Sequence, residues 1–107
     1  MVTLGGSEPE IQSLAIRGQG GLQVDNGALA ELIVSGSNFA GSAGNDLVRL
    51  ENQETGLEFI SGPGTGEQLS ATIPLGTPTG VYRVRILNGR GISSPSSQTI
   101  TIVDAAI

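Results

Sequence analysis

The stretch Gly80-Val81-Tyr82-Arg83-Val84-Arg85-Ile86-Leu87-Asn88 decides the fold. A glycine turn feeds a run of residues that alternates with period two. Tyr82, Val84 and Ile86 fall on one side; Val81, Arg83 and Arg85 fall on the other. One apolar face at that period is the pattern of a half-buried antiparallel strand. A tyrosine just inside a strand that follows a turn predicts a tyrosine corner. The ring enters the core and the hydroxyl bonds back to the backbone.

Working outward, further short strands follow at regular intervals. Residues 10–17 come after Pro9, with Ile11 and either Leu14 or Ile16 inward. The run Ala28-Leu29-Ala30-Glu31-Leu32-Ile33-Val34 starts with good helix formers. It ends in β-branched residues and meets Ser35-Gly36-Ser37-Asn38, which is turn chemistry. It reads as a strand with Ala30, Leu32 and Val34 inward. Residues 46–51 place Val48 and Leu50 inward, with Leu47 and Arg49 outward. Residues 57–61 form a short strand around Phe59, and residues 68–73 put Leu69, Ala71 and Ile73 on one face. Residues 98–103 bury Ile100 and Ile102. Turn signals separate these runs: Asp25-Asn26-Gly27, Gly41-Ser42-Ala43-Gly44, Gly62-Pro63-Gly64-Thr65-Gly66, Gly76-Thr77-Pro78-Thr79-Gly80 and Asn88-Gly89-Arg90-Gly91. About seven short strands with turns between neighbours predict an all-β, immunoglobulin-like β-sandwich.

Composition narrows the function classes. The chain has 107 residues, enough for one domain, and 17 of them are glycine. Residues 9–104 read as that domain. Residues 1–8 read as a linker or added tail, with Met1 a candidate expression residue, and 105–107 as a tail toward a next module. The net charge is −5 and every basic residue is an arginine: Arg17, Arg49, Arg83, Arg85 and Arg90. An acidic chain lacks the basic footprint of nucleic-acid binding and of docking on anionic membranes. No cysteine, histidine or lysine is present. Disulfides, thiolate chemistry, Schiff bases and His-metal sites are therefore excluded. No apolar leader occupies residues 1–20, and no run is long enough for a membrane-spanning helix. Any export signal must lie outside this segment.

Five pieces in order resemble one family. They are Pro9-Glu10-Ile11, Leu32-Ile33-Val34-Ser35-Gly36-Ser37-Asn38-Phe39, Ala71-Thr72-Ile73-Pro74, the Gly80 to Asn88 run, and Gly91-Ile92-Ser93-Ser94. Together, across residues 9–103, they are similar to an IPT/TIG domain. The resemblance implies an immunoglobulin-like sandwich of the kind found in plexin-like receptors, Rel-type transcription factors, starch-acting enzymes and large bacterial surface proteins. In most of these settings such a domain is a spacer or contact module without catalytic residues. The composition looks most like the bacterial surface group, which implies an extracellular place within a larger chain. For the matched residues the expectations are structural. Gly36 and Gly80 take backbone conformations that a side chain would hinder. Phe39 folds over one end of the core, and Pro74 ends a strand where its missing N–H does little harm.

Candidate chemistry is sparse. Glu51, Glu54 and Glu58 cluster around an exposed turn and read as a solvated acidic edge more readily than as a carboxylate pair for glycoside hydrolysis. Asp25-Asn26-Gly27 and Asn45-Asp46 offer oxygen ligands without the spacing of a calcium loop. Gly18-Gln19-Gly20-Gly21 and Gly62-Pro63-Gly64-Thr65-Gly66 open no helix and carry no P-loop lysine, so they read as loops. Asn88-Gly89 and Asn26-Gly27 are candidate deamidation sites. No cofactor or metal is expected.

One surface stands out. If residues 46–51, 81–88 and 98–103 share a sheet, its outer face carries Leu47, Arg49 and Glu51, then Arg83 and Arg85, then Thr99, Thr101 and Val103. Arginine is favoured in protein contacts because its planar fork bonds and stacks. Arg49, Glu51, Arg83 and Arg85 are thus candidate contact residues. The simpler alternative is a set of cross-strand Arg–Glu pairs. The expected function is a non-catalytic module, acting as spacer and contact with neighbouring domains or another protein. The second reading is an accessory carbohydrate-binding domain, although the only aromatics are Phe39, Phe59 and Tyr82.

Overall fold

The computed structural model describes residues 8–40, 46–62 and 64–104. The expected linker before residue 8, the tail after 104, the turn at 41–44, Asn45 and Pro63 lie outside them. The described chain is all β. Its strands are β1 (Glu10–Ile16), β2 (Gln23–Asp25), β3 (Ala30–Ser37), β4 (Leu47–Glu51), β5 (Gly56–Ile60), β6 (Gln68–Ile73), β7 (Gly80–Asn88), β8 (Gly91–Ile92) and β9 (Ile100–Val103). They form two sheets. One has the order β1-β3-β6; the other runs β2-β9-β7-β4-β5, with β8 also paired to β7. The arrangement is compatible with an immunoglobulin-like β-sandwich.

The alternation seen in the sequence sets the core. Leu14, Ile16, Leu32, Val34, Leu69, Ala71 and Ile73 point inward from the smaller sheet. Val24, Val48, Leu50, Tyr82, Val84, Ile86, Ile100 and Ile102 point inward from the larger one, and together they form one buried cluster. Each fully buried Leu, Ile or Val contributes about 1.5–3 kcal/mol relative to an exposed one. An exposed ion pair contributes about 0–1 kcal/mol. Apolar packing between the sheets therefore dominates the stability of the fold.

Tyr82 forms the expected corner. Its ring is buried and its hydroxyl donates to the Pro78 carbonyl at 2.7 Å. Both Leu14 and Ile16 are buried, and Ile11 packs against the same core. Strict alternation cannot place Ile11 and Leu14 on one face. A bulge between Ile11 and Ser13 in the β1–β3 pairing shifts the phase and resolves the conflict.

Four expectations are corrected. First, Ser35-Gly36-Ser37 is not a turn: it completes β3, and the chain bends at Asn38, a non-glycine with φ of 65°. The reason lies at Gly36. A Cβ there would sit 1.8 Å from the Glu10 carbonyl oxygen, so glycine is required for the approach of β1 rather than for an unusual φ. Gly80 does have a positive φ, 152°, as expected. Second, the third strand begins at Ala30, and Leu29 is exposed before it. Third, residues 98 and 99 precede β9. Fourth, two short strands join the expected seven. After the loop at Gly18–Gly21 the chain passes to the other sheet, where β2 pairs parallel with β9 and buries Val24. Three residues are too few to show a period, so the sequence hides this strand.

The chain enters and leaves at opposite ends. Glu10 pairs with Ser37 at one end of the smaller sheet, and Asn38 Nδ2 donates to the Glu8 carbonyl there. At the other end Val103 pairs with Asp25, and Gly80 pairs with Ile102.

Candidate functional site

The outer face of the larger sheet holds the candidate contact residues. β9, β7 and β4 do lie side by side, so the conditional placement holds. Register then puts Arg85 directly opposite Arg49, Arg83 opposite Glu51, and Glu58 of β5 opposite Arg49. Two guanidiniums facing across a ladder repel unless a carboxylate intervenes. Glu51 does so. Its Oε2 accepts from Arg85 Nε at 2.9 Å, and its Oε1 lies 3.3 Å from Arg49 Nε. The Arg49 approach is an ion pair without a directed hydrogen bond, since Nε donates to no acceptor. Arg49 Nη1 also stands 3.7 Å from Glu58 Oε2. Arg85 is pinned further by donating from Nη1 to the Ser93 carbonyl at 3.0 Å.

Arg83 is the residue left over. Glu51 turns diagonally to Arg85 rather than straight across to Arg83. Arg83 is exposed and forms no ion pair among the described residues. It lines a depression with Glu51, Asn52, Gln53, Val81 and Thr99. Val81 beside it is 53% exposed. The outward pair read from the sequence therefore divides: Arg85 belongs to the cross-strand network, and Arg83 faces solvent. Arg17, in the turn just after β1, forms a two-pronged contact with Glu31 and holds that carboxyl below the usual carboxylate range.

The acidic edge is also resolved. Glu51 and Glu58 face arginines, while Glu54 sits in a turn where Asn52 Oδ1 accepts from the N–H groups of Glu54 and Thr55. Asp25 closes its own turn by accepting from Gly27 N at 3.1 Å. Among the described residues no group of acidic side chains is arranged to hold a metal ion. Phe39 and Tyr82 are buried, and Phe59 packs against the core, so none of the three rings forms an exposed stacking platform.

Two polar features escaped sequence reasoning. Asp46 is fully buried at the end where the chain enters. Its Oδ1 accepts from Ala40 N at 3.0 Å and from Asn88 Nδ2 at 2.8 Å. Asn88 Nδ2 also donates to the Asn38 carbonyl at 3.2 Å. Neighbouring Asn45, weighed with Asp46 as a source of oxygen ligands, lies outside the described residues. The second feature is a serine substitute for a strand. Between β8 and β9 the chain runs beside β7 without regular pairing. Ser96 N donates to the Val84 carbonyl, and Ser96 Oγ accepts from Val84 N, both near 2.9 Å. Ser93 does the same with Ile86. The only signal in the sequence was the cluster Ser93-Ser94-Pro95-Ser96-Ser97, which looks like an ordinary loop.

No protein-family model matches this chain, and no curated protein does.

Proposed function

We propose that this chain is a non-catalytic immunoglobulin-like module of the IPT/TIG kind. It serves as a spacer and protein contact in a larger bacterial cell-surface or secreted protein. The observation that carries the contact reading is Arg83. Its neighbours on the face are paired with Glu51, Glu58 and Ser93, whereas its own guanidinium has no ion-pair partner among the described residues and stands beside exposed Val81. A planar cationic fork next to an apolar side chain suits the carboxylates and aliphatic groups of another protein. The spacer reading is supported by entry and exit at opposite ends, which lets successive modules extend in line. An eight-residue strand such as β3 spans roughly 26 Å. The reading as a non-catalytic module is supported by the described carboxylates: Glu31, Glu51 and Glu58 are paired with arginines, Asp25 closes a turn, and buried Asp46 accepts from Ala40 N and Asn88 Nδ2.

The test uses the parent protein. Because the chain has no cysteine, Val81→Cys gives an attachment point for a photo-crosslinker that is unique within this module. Thr72→Cys, on the outward side of β6, is the control. Val81→Cys should form adducts with an adjoining domain or partner protein, and Thr72→Cys should not. Adding Arg83→Ser should lower the adduct yield with Tm unchanged. Equal yields from both positions, or indifference to Arg83→Ser, would sink the contact reading.

A further inference from the structure

The two Asn-Gly pairs sit at opposite ends of the sandwich, and the fold treats them differently. Succinimide formation needs two things: a backbone nitrogen free to attack, and an asparagine side chain free to turn toward it. At Asn26 both are engaged. Gly27 N–H donates to Asp25 Oδ1 at 3.1 Å, and Asn26 Nδ2 donates to the Thr77 carbonyl at 2.9 Å. The Asn26 backbone is also fixed, with its N–H on the Val103 carbonyl and its carbonyl accepting from Gly76 N. At Asn88 the side chain is held at both ends, with Nδ2 donating to Asp46 and Asn38 and Oδ1 accepting from Arg90 N at 2.8 Å, but the attacking nitrogen is not held. Gly89 is exposed in the β7–β8 turn, and its N–H has no hydrogen-bond partner among the described residues.

We propose that Asn88 is a site of spontaneous deamidation that the folded state slows but does not block, and that its conversion opens the Asp46 end of the sandwich. The deprotonated Gly89 nitrogen attacks Asn88 Cγ, the side-chain nitrogen leaves as ammonia, and a succinimide forms. Water then opens the imide to aspartate or isoaspartate. The new carboxylate has no proton to donate. It loses both bonds made by Asn88 Nδ2 and meets the Asp46 carboxylate and the Asn38 carbonyl, which are now acceptors facing an acceptor. Two carboxylates sharing a site cannot both stay ionised without cost. Asp46 and Asn38 hold the segment that carries buried Phe39, so that segment loosens.

Peptide mapping by mass spectrometry, on the folded protein held in mildly alkaline buffer, tests this. Asn88 should convert about fivefold faster than Asn26, because the nitrogen that must attack is engaged at Gly27 and has no partner at Gly89 among the described residues. In urea-unfolded chain the two should convert at similar, faster rates. The mimic Asn88→Asp should melt about 5–15 °C below the parent protein. Conversion of Asn26 as fast as Asn88 in the folded protein would overturn the proposal. So would an Asn88→Asp protein with unchanged Tm. If Asn88→Asp does not fold, the wild-type map alone decides.

Discussion

At the end where the chain leaves, Tyr82 closes the core with a bond to Pro78, four residues away. At the end where it enters, Asn88 reaches Asp46 across 42 residues and Asn38 across 50. Both ends face the same problem. Backbone and polar groups near the rim of an apolar core need partners, because an unmet buried donor or acceptor costs about 1–3 kcal/mol. The exit end adds a local device, the turn that carries Tyr82, to the long-range bonds of Asn26 with Thr77, Gly76 and Val103. The other assembles its solution from three separate segments: the bend at Asn38, Asp46 before β4, and Asn88 at the end of β7. A local device forms wherever its turn forms, whereas a distributed one depends on the whole sandwich being in place.

That contrast can be broken in order of size. Asp46→Ala should have the largest effect, since it strands Ala40 N and removes one of the two bonds made by Asn88 Nδ2. A loss of roughly 3 kcal/mol in urea unfolding is expected. A loss below that of Tyr82→Phe would show that the entry end is held by other groups. Tyr82→Phe keeps the ring in the core and removes only the bond to Pro78, which should cost about 1 kcal/mol.

The smallest effect is one of pH. Burial pushes the Tyr82 phenol above its ordinary value, and the Glu54 carboxylate adds to the shift. A folded value above the unfolded one means that this contribution to stability is complete below pH about 10 and is lost as pH rises through the folded value. Tyr82 is the only tyrosine and there is no tryptophan, so phenolate absorbance reports this residue alone. Its midpoint should lie above that of the urea-unfolded chain, and coincident midpoints would refute the shift. Tyr82→Phe should lack the matching alkaline fall in stability.

The legible parts of the molecule share one property: their signal is short-range. β7 alternates over nine residues and declares both its inward face and its corner tyrosine. β6 and β9 are read in the same way. The errors have physical causes. Ser35-Gly36-Ser37 has the composition of a turn, yet Gly36 is there to admit the Glu10 carbonyl, a partner from another strand. β2 exists because β9 offers it a parallel edge. The contact face was legible as a list of residues but not as a network. Register decides that Arg49 faces Arg85, and side-chain geometry decides that Glu51 turns to Arg85 and leaves Arg83 exposed.

By itself, then, the sequence determined the two-sheet class, the inward sets of β6 and β7 and the Tyr82 corner. These depend on period-two patterning and on neighbours a few residues apart. Only the tertiary structure decided the parallel β2–β9 pair, the serine hydroxyls that stand in for a strand along β7, the Asp46–Asn88–Asn38 closure and the singling out of Arg83. Each of these is a meeting of residues far apart in the chain. Hydrogen bonds and ion pairs act over a few ångströms, and which residues come that close is settled only when the sheets pack.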